Sequence, residues 1–256
     1  MPRPRLAVFK LASCDGCQLQ LLGLEDELLA LAEAIDIVYF AEATSRADDG
    51  GRFDVALVEG SVSTPEQAEA IASIRARSDA LFTLGACATA GGIQALRNGR
   101  DVEGFLRVVY ASPGYVDTLA TSTPVSDHVK VDFELRGCPI DKGQLLELIT
   151  ATLVERAPRI RDESVCMECK RRGNPCVLVT RGEPCLGPVT HAGCGALCPT
   201  FARGCYGCFG PKERAATGPL AARLKEDGMK GPELARVFRT FNGWAPAFRE
   251  EGERHE

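Results

Sequence analysis

The sequence predicts an α/β protein in two parts: a mainly parallel sheet with helices on both faces, then an irregular region stabilised by metal. Three observations carry that expectation. Strand and helix signals alternate from the N-terminus to about Arg156. Beyond it Pro, Gly, Arg and Cys dominate, and no helical or strand period persists. Eight of the twelve cysteines then crowd between Cys166 and Cys208, where a metal would supply the core that the local sequence lacks. The change of character puts a boundary near Arg156 to Arg161, giving domains of residues 1–158 and 159–256.

Leu6 to Leu11 is a short apolar strand, and Gln18 to Ala34 reads as one helix with Leu19, Leu22 and Leu29 on one side. Ile35 to Phe40, rich in β-branched and aromatic residues, and the apolar run Phe53 to Val58 both read as strands. Ser63-Thr64-Pro65-Glu66-Gln67 announces a helix towards Arg77, because a hydroxyl cap followed by proline pre-shapes a first turn. Ala80 to Leu84 is a strand, Gly85 opens a helix to about Arg97, Val129 to Leu135 alternates as a strand, and Asp141 to Arg156 is helical. From Pro211 the chain is polar, with a weak helical stretch at Leu220 to Phe238 and an aromatic segment, Phe241-Asn242-Gly243-Trp244. This reads as a docked tail or, more sharply, as a partner contact through Phe238, Phe241 and Trp244.

The chain is 45% hydrophobic and 25% charged, an ordinary globular balance that argues against long disorder. Its 30 Lys and Arg against 35 Asp and Glu leave no basic footprint for a phosphate backbone, so no nucleic-acid partner is expected. The most apolar stretch, Leu19 to Phe40, is interrupted by Glu25, Asp26, Glu27, Glu33 and Asp36, which excludes a membrane span there. Arg3 and Arg5 are followed at once by strand-like residues and not by the long apolar core of a signal peptide. A cytoplasmic location is the expectation.

Twelve cysteines in a reduced compartment point to metal ligation and not to disulfides. They make three sets of four, the number of thiolates that three [4Fe-4S] cubanes require. Chemistry in such folds gathers where strands end and helices begin. Cys14 and Cys17 follow the first strand, Cys87 follows Ala80 to Leu84, and Cys138 follows Val129 to Leu135, so these four are expected on one sheet edge. Glycines beside them permit close backbone approach to inorganic sulfide. A thioredoxin-like reading of Cys14-x-x-Cys17 is opposed by Cys87 and Cys138 at equivalent positions. The other eight run C-x2-C-x6-C-x8-C-x8-C-x3-C-x6-C-x2-C. Sequential grouping gives Cys166, Cys169, Cys176 and Cys185 as one set and Cys194, Cys198, Cys205 and Cys208 as the other. Structural zinc is the alternative, since paired CxxC motifs also suit four-cysteine zinc sites.

Cys14-Asp-Gly-Cys17, Gly85-Ala-Cys87-Ala-Thr-Ala-Gly91-Gly92 and Gly137-Cys138-Pro139 resemble the proximal-cluster signature of [NiFe] hydrogenase small subunits. Cys185-Leu-Gly-Pro, Cys194, Cys198-Pro199 and Cys205-Tyr-Gly-Cys208 resemble that family's distal and medial region. The resemblance implies a flavodoxin-like N-terminal domain and an iron-sulfur C-terminal domain. It makes Cys14, Cys17, Cys87 and Cys138 the proximal set, Cys194, Cys198, Cys205 and Cys208 the medial set, and Cys166, Cys169, Cys176 and Cys185 the distal set. It also implies a large-subunit partner that carries the nickel-iron centre, with no catalytic residue on this chain. Cys166 stands where periplasmic members place a histidine, and Cys198 is an added medial thiol, so three cubanes are expected. With no twin-arginine signal, the chain is similar to the cytosolic bidirectional group, including the sulfhydrogenase delta type. That group passes electrons to NAD(P) through separate flavin and iron-sulfur subunits.

The related complex I subunit has adjacent cysteines in place of CxxC and lacks the eight-cysteine extension. The alternatives are an iron-sulfur subunit of a related non-hydrogenase assembly, complex I-like or F420-linked, and a zinc-stabilised interaction module. Of the three histidines, His255 is in the tail, His128 flanks a strand, and His191, between Cys185 and Cys194, either is solvated or hydrogen-bonds a cluster sulfur. Lys170-Arg171-Arg172 is a solvated charge run or a cationic surface for an acidic electron partner.

Overall fold

Strands β1 (Arg5–Lys10), β2 (Asp36–Phe40), β3 (Phe53–Glu59), β4 (Ser78–Leu84) and β5 (Phe133–Leu135) form one sheet in the order β2-β1-β3-β4-β5. β1 pairs in parallel with β2 and β3, and β3 with β4. This is the flavodoxin-like order, whose switch point lies between β1 and β3. The computed structural model describes residues 3–256. Leu6, Ala7 and Val8 of β1 and Ala56, Leu57 and Val58 of β3 are all buried. Both faces of these central strands are therefore covered, which is why they read as continuous apolar runs and not as alternating ones.

Helices α1 (Gly16–Leu22) and α2 (Asp26–Ala34) replace the single helix expected over Gln18 to Ala34. The break lies at Gly23 to Glu25, where Glu25 takes a φ of 54°. Helix α3 (Pro65–Ala76) begins as the sequence predicts: Thr64 Oγ1 accepts from Gln67 N–H at 3.2 Å while Gln67 Oε1 accepts from Thr64 N–H at 3.2 Å. Helix α4 (Gly85–Ala90) stops short of Arg97, because Gly91 and Gly92 both turn to positive φ before a 3-10 turn at Ile93–Arg97. The strand expected over Val129 to Leu135 shrinks to β5. An unanticipated helix, α5 (Val102–Val109), is capped by Asp101, whose carboxylate accepts from Gly104 N–H at 2.9 Å. Phe9, Val38, Phe53, Ile71 and Leu81 anchor the core, with Phe9 stacked on Tyr39 and edge-on to Phe53.

The chain divides into two compact units, one ending at Glu134 and the other running from Leu135 to Glu256. This division precedes the expected boundary at 156–161, and side-chain contacts explain it. Arg136 donates to the Pro211 carbonyl, Gly137 lies against the Phe209 ring, and Gln144 donates to the Ala192 carbonyl.

The second unit contains α6 (Lys142–Leu153), α7 (Val165–Arg171), α8 (Val177–Arg181), α9 (Leu197–Thr200), α10 (Thr217–Glu226), α11 (Gly231–Phe238) and α12 (Pro246–Glu253). Its last three helices enclose Leu220, Leu224, Leu234, Phe238 and Phe248 together with Leu186 and Val189 from the cysteine-rich region. Phe238 is fully buried, edge-on to Phe248 at 5.9 Å. It is therefore a core residue, which corrects the expected partner contact there. No described helix is long and apolar enough to cross a membrane.

Candidate metal centres

The loop after β1 carries Cys14 and Cys17 into the start of α1. Asp15 between them takes a left-handed conformation, φ 67°, which Asp tolerates better than most residues. Lys10 Nζ lies 2.7 Å from its carboxylate. The N–H groups of Cys17 and Gln18 both donate to Glu59 at the end of β3, at 3.1 and 3.2 Å. Glu59 is only 2% exposed, and burial pushes its carboxyl above the ordinary range against the pull of those donors. One buried acid thus ties the end of β3 to the cysteine loop at the switch point.

Cys87 stands in α4 directly beyond β4. Its thiol donates to Gln94 Oε1 at 3.4 Å, and Gln94 Nε2 donates to the Ala12 carbonyl at 2.7 Å. Gln94 therefore links the Cys87 thiol to the loop that leads to Cys14. Gly92, at φ +63°, lies so close that an added Cβ would fall 2.6 Å from Cys87 Sγ. Gly92→Ala is expected to cost about 1–3 kcal/mol in backbone strain alone, because φ 63° with ψ −157° is a conformation that essentially only glycine adopts, with further loss from displacing the sulfur. Thermal unfolding and iron content of the purified variant check this, and an unchanged melting temperature would refute it. Cys138 belongs to the second unit, on a turn whose Cys138–Pro139 peptide is cis.

In the second unit Cys166 and Cys169 lie on α7 and Cys176 precedes α8. Burial pushes the Cys166 thiol up to about 11, and repulsion from Cys185, Cys169 and Cys176 adds to it, so these four sulfurs are electrostatic neighbours. Methyl placement on Gly187 would put a carbon 3.3 Å from Cys185 Sγ and 3.6 Å from Cys166 Sγ, so both sulfurs border the same small space. Burial likewise pushes the Cys208 thiol up to about 12, with repulsion from Cys194, Cys198 and Cys138. Cys205, raised chiefly by burial, has both Cys185 and Cys208 as electrostatic neighbours.

Backbone N–H groups serve these sulfurs. Cys205 N–H donates to Cys185 Sγ at 3.2 Å and Gly207 N–H to Cys205 Sγ at 3.4 Å. Thiols buried this deeply give up their protons when a cation binds them, and N–H donors then stabilise the sulfur charge. Soft donors supplied with N–H groups suit an iron-sulfur cluster; Cys185 and Cys205 are buried, while Cys176 is exposed. Among the described residues no three Cys, His, Asp or Glu side chains are arranged to hold one metal ion.

The turn bearing Cys205 and Cys208 is held from the loop between α11 and α12. Thr240 Oγ1 donates to the Tyr206 carbonyl at 2.7 Å, and buried Asn242 Nδ2 donates to the Gly207 and Cys208 carbonyls at 2.9 and 3.0 Å. His191 turns its Nδ1 to the Ala192 carbonyl, and Arg171 pairs with Glu163 at 2.5 Å.

Residues 14–152 match the family described as NADH ubiquinone oxidoreductase, 20 Kd subunit. Over 94% of the chain and the whole of the relative, the sequence is 40% identical to the sulfhydrogenase 2 subunit delta of Pyrococcus furiosus. The chain belongs to the [NiFe]-hydrogenase small-subunit family. A vhu subunit of the F420-non-reducing hydrogenase of Methanocaldococcus jannaschii is 30% identical over 93% of the chain and 94% of that protein. A solved NAD+-reducing [NiFe]-hydrogenase, in its H2-reduced state, aligns with a TM-score of 0.58 at 31% identity, over 62% of this chain and 96% of the other. Membership makes this small subunit an iron-sulfur electron-transfer component of an oxidoreductase.

Proposed function

We propose that the chain relays electrons in a cytoplasmic [NiFe] hydrogenase through three [4Fe-4S] clusters. Cys14, Cys17, Cys87 and Cys138 hold the proximal cluster, Cys194, Cys198, Cys205 and Cys208 the medial one, and Cys166, Cys169, Cys176 and Cys185 the distal one. The nickel-iron centre that splits or forms H2 resides on a large-subunit partner, and flavin and iron-sulfur subunits complete the path to NAD(P). The observation that carries this reading is the thiol count and its setting, twelve cysteines divisible into three sets of four, eight of them in one cysteine-rich stretch furnished with N–H donors. When bound, the clusters supply one-electron carriage. This chain's own residues hold the sulfurs in place and bury those of Cys17, Cys185 and Cys205.

An apolar surface supports the partner assignment. Helix α5 buries none of its residues, and Phe105, Val108, Val109 and the nearby Tyr115 are exposed, Tyr115 by 92%. Bare aromatic and aliphatic side chains on one short segment suit a protein interface. The test is iron, sulfide and zinc per chain, with EPR, on protein purified without oxygen. About twelve irons and twelve sulfides are expected, four of each for every cluster. Zinc without sulfide would overturn the relay reading.

A further inference from the structure

Glu168 lies between Cys166 and Cys169 on α7, yet its side chain serves the loop of the other cysteine set. Oε1 accepts from the N–H groups of Gly193 and Gly195 at 3.0 and 3.1 Å, and Oε2 from Ala196 N–H at 3.1 Å. Oε2 also stands 3.9 Å from Cys194 Sγ. Gly193, Gly195 and Ala196 all have positive φ, and backbone turned in this way aims successive N–H groups to one side as an anion cradle. A carboxylate fills that cradle. It therefore fixes the loop around Cys194 and adds a negative charge beside that half-buried sulfur, on the same acid that Arg171 faces.

We infer that Glu168 is a positioning residue for the cluster held by Cys194, clamping its loop through three backbone bonds and lowering its reduction potential through its charge. Reduction adds an electron to an already anionic cluster, and a fixed carboxylate beside one ligand opposes that step. Because the acid is carried by the helix of Cys166 and Cys169, the two neighbouring sets share one mechanical element. The inference rests on the relay reading and its grouping of the cysteines.

The test compares the intact complex with its Glu168→Gln and Glu168→Asp variants, purified without oxygen, by iron content and EPR-monitored redox titration. Glu168→Gln is expected to keep its iron, with one cluster titrating at a higher potential than in the wild type and the others little changed. Glu168→Asp, which keeps the charge, is expected to hold the wild-type potentials. Identical titrations for Glu168→Gln and wild type would overturn the inference, as would an equal shift in Glu168→Asp. Should Glu168→Gln lose a cluster, retention of iron in Glu168→Asp supports the charged clamp, and loss in both overturns the role of charge. A wild-type complex lacking iron for three clusters refutes the relay reading itself, whereas unmoved potentials in fully loaded protein refute only the inference.

Discussion

Replacing Cys87 by alanine is expected to abolish H2-driven reduction of an electron acceptor while H/D exchange at the partner's nickel-iron centre continues. Exchange needs only the site where H2 is split, because no net electron leaves it. Acceptor reduction needs every step of the relay. Cys87 contributes one soft donor from the start of α4, and its sulfur is already oriented by Gln94 at 3.4 Å. Alanine removes the donor without disturbing the helix, for which it is the best former. Serine at the same position offers only a hard oxygen, so Cys87→Ser is expected to fall well below wild type in acceptor reduction as well. Loss of both activities would make Cys87 a structural residue, and retention of both would remove it from the proximal set.

Much of the architecture is legible in the sequence because local rules decide it. Parallel strands buried on both faces are continuous apolar runs, and the Thr64, Pro65 and Gln67 signature starts α3 where it predicts. The misreadings have physical causes. Gln18 to Ala34 has a helical period throughout, and its one interruption, Gly23, is the residue that ends α1 before the turn at Glu25. Gly91-Gly92 lies within a stretch of good helix formers, and two close approaches explain why positive-φ residues interrupt it, Gly91 to the Ser122 carbonyl and Gly92 to Cys87. The C-terminal segment reads as polar because α10 to α12 each bury a narrow stripe, but those stripes meet in one core.

The thiols are legible because no other side chain shares their chemistry. Their supports are not. Gln94 reaches a carbonyl 82 residues away in sequence, Glu59 receives N–H groups 42 and 41 residues away, and Asn242 serves carbonyls 35 and 34 residues away. A hydrogen bond across such separations leaves no local pattern, so a polar residue that supports a sulfur looks like any other until the chain is folded. One clue is visible: Glu59 directly follows the apolar run Phe53 to Val58, and a buried acid must find donors.

Phe248→Ala is expected to be among the most destabilising single substitutions in the second unit, at about 3–5 kcal/mol. The ring is fully buried, meets Phe238 edge-on, and lies beneath the turn between Cys205 and Cys208, 3.1 Å from where a Cβ on Gly207 would stand. Gly207 itself has a φ of +72°, so the turn depends on a residue without a side chain packed directly on the aromatic ring. Removing the ring opens a cavity under two cysteines as well as in the core of the C-terminal helices. Melting temperature and iron per chain should therefore fall together. Trp244→Ala provides the contrast, since that ring lies under the Arg249 guanidinium at 4.7 Å, outside the fully buried cluster, and should lower stability by much less. If Phe248→Ala melts like the wild type with its iron intact, the C-terminal helices do not support the cysteine turn. A fall in both properties makes these helices part of the scaffold that holds Cys205 and Cys208, because the same ring closes the helical core and backs the turn.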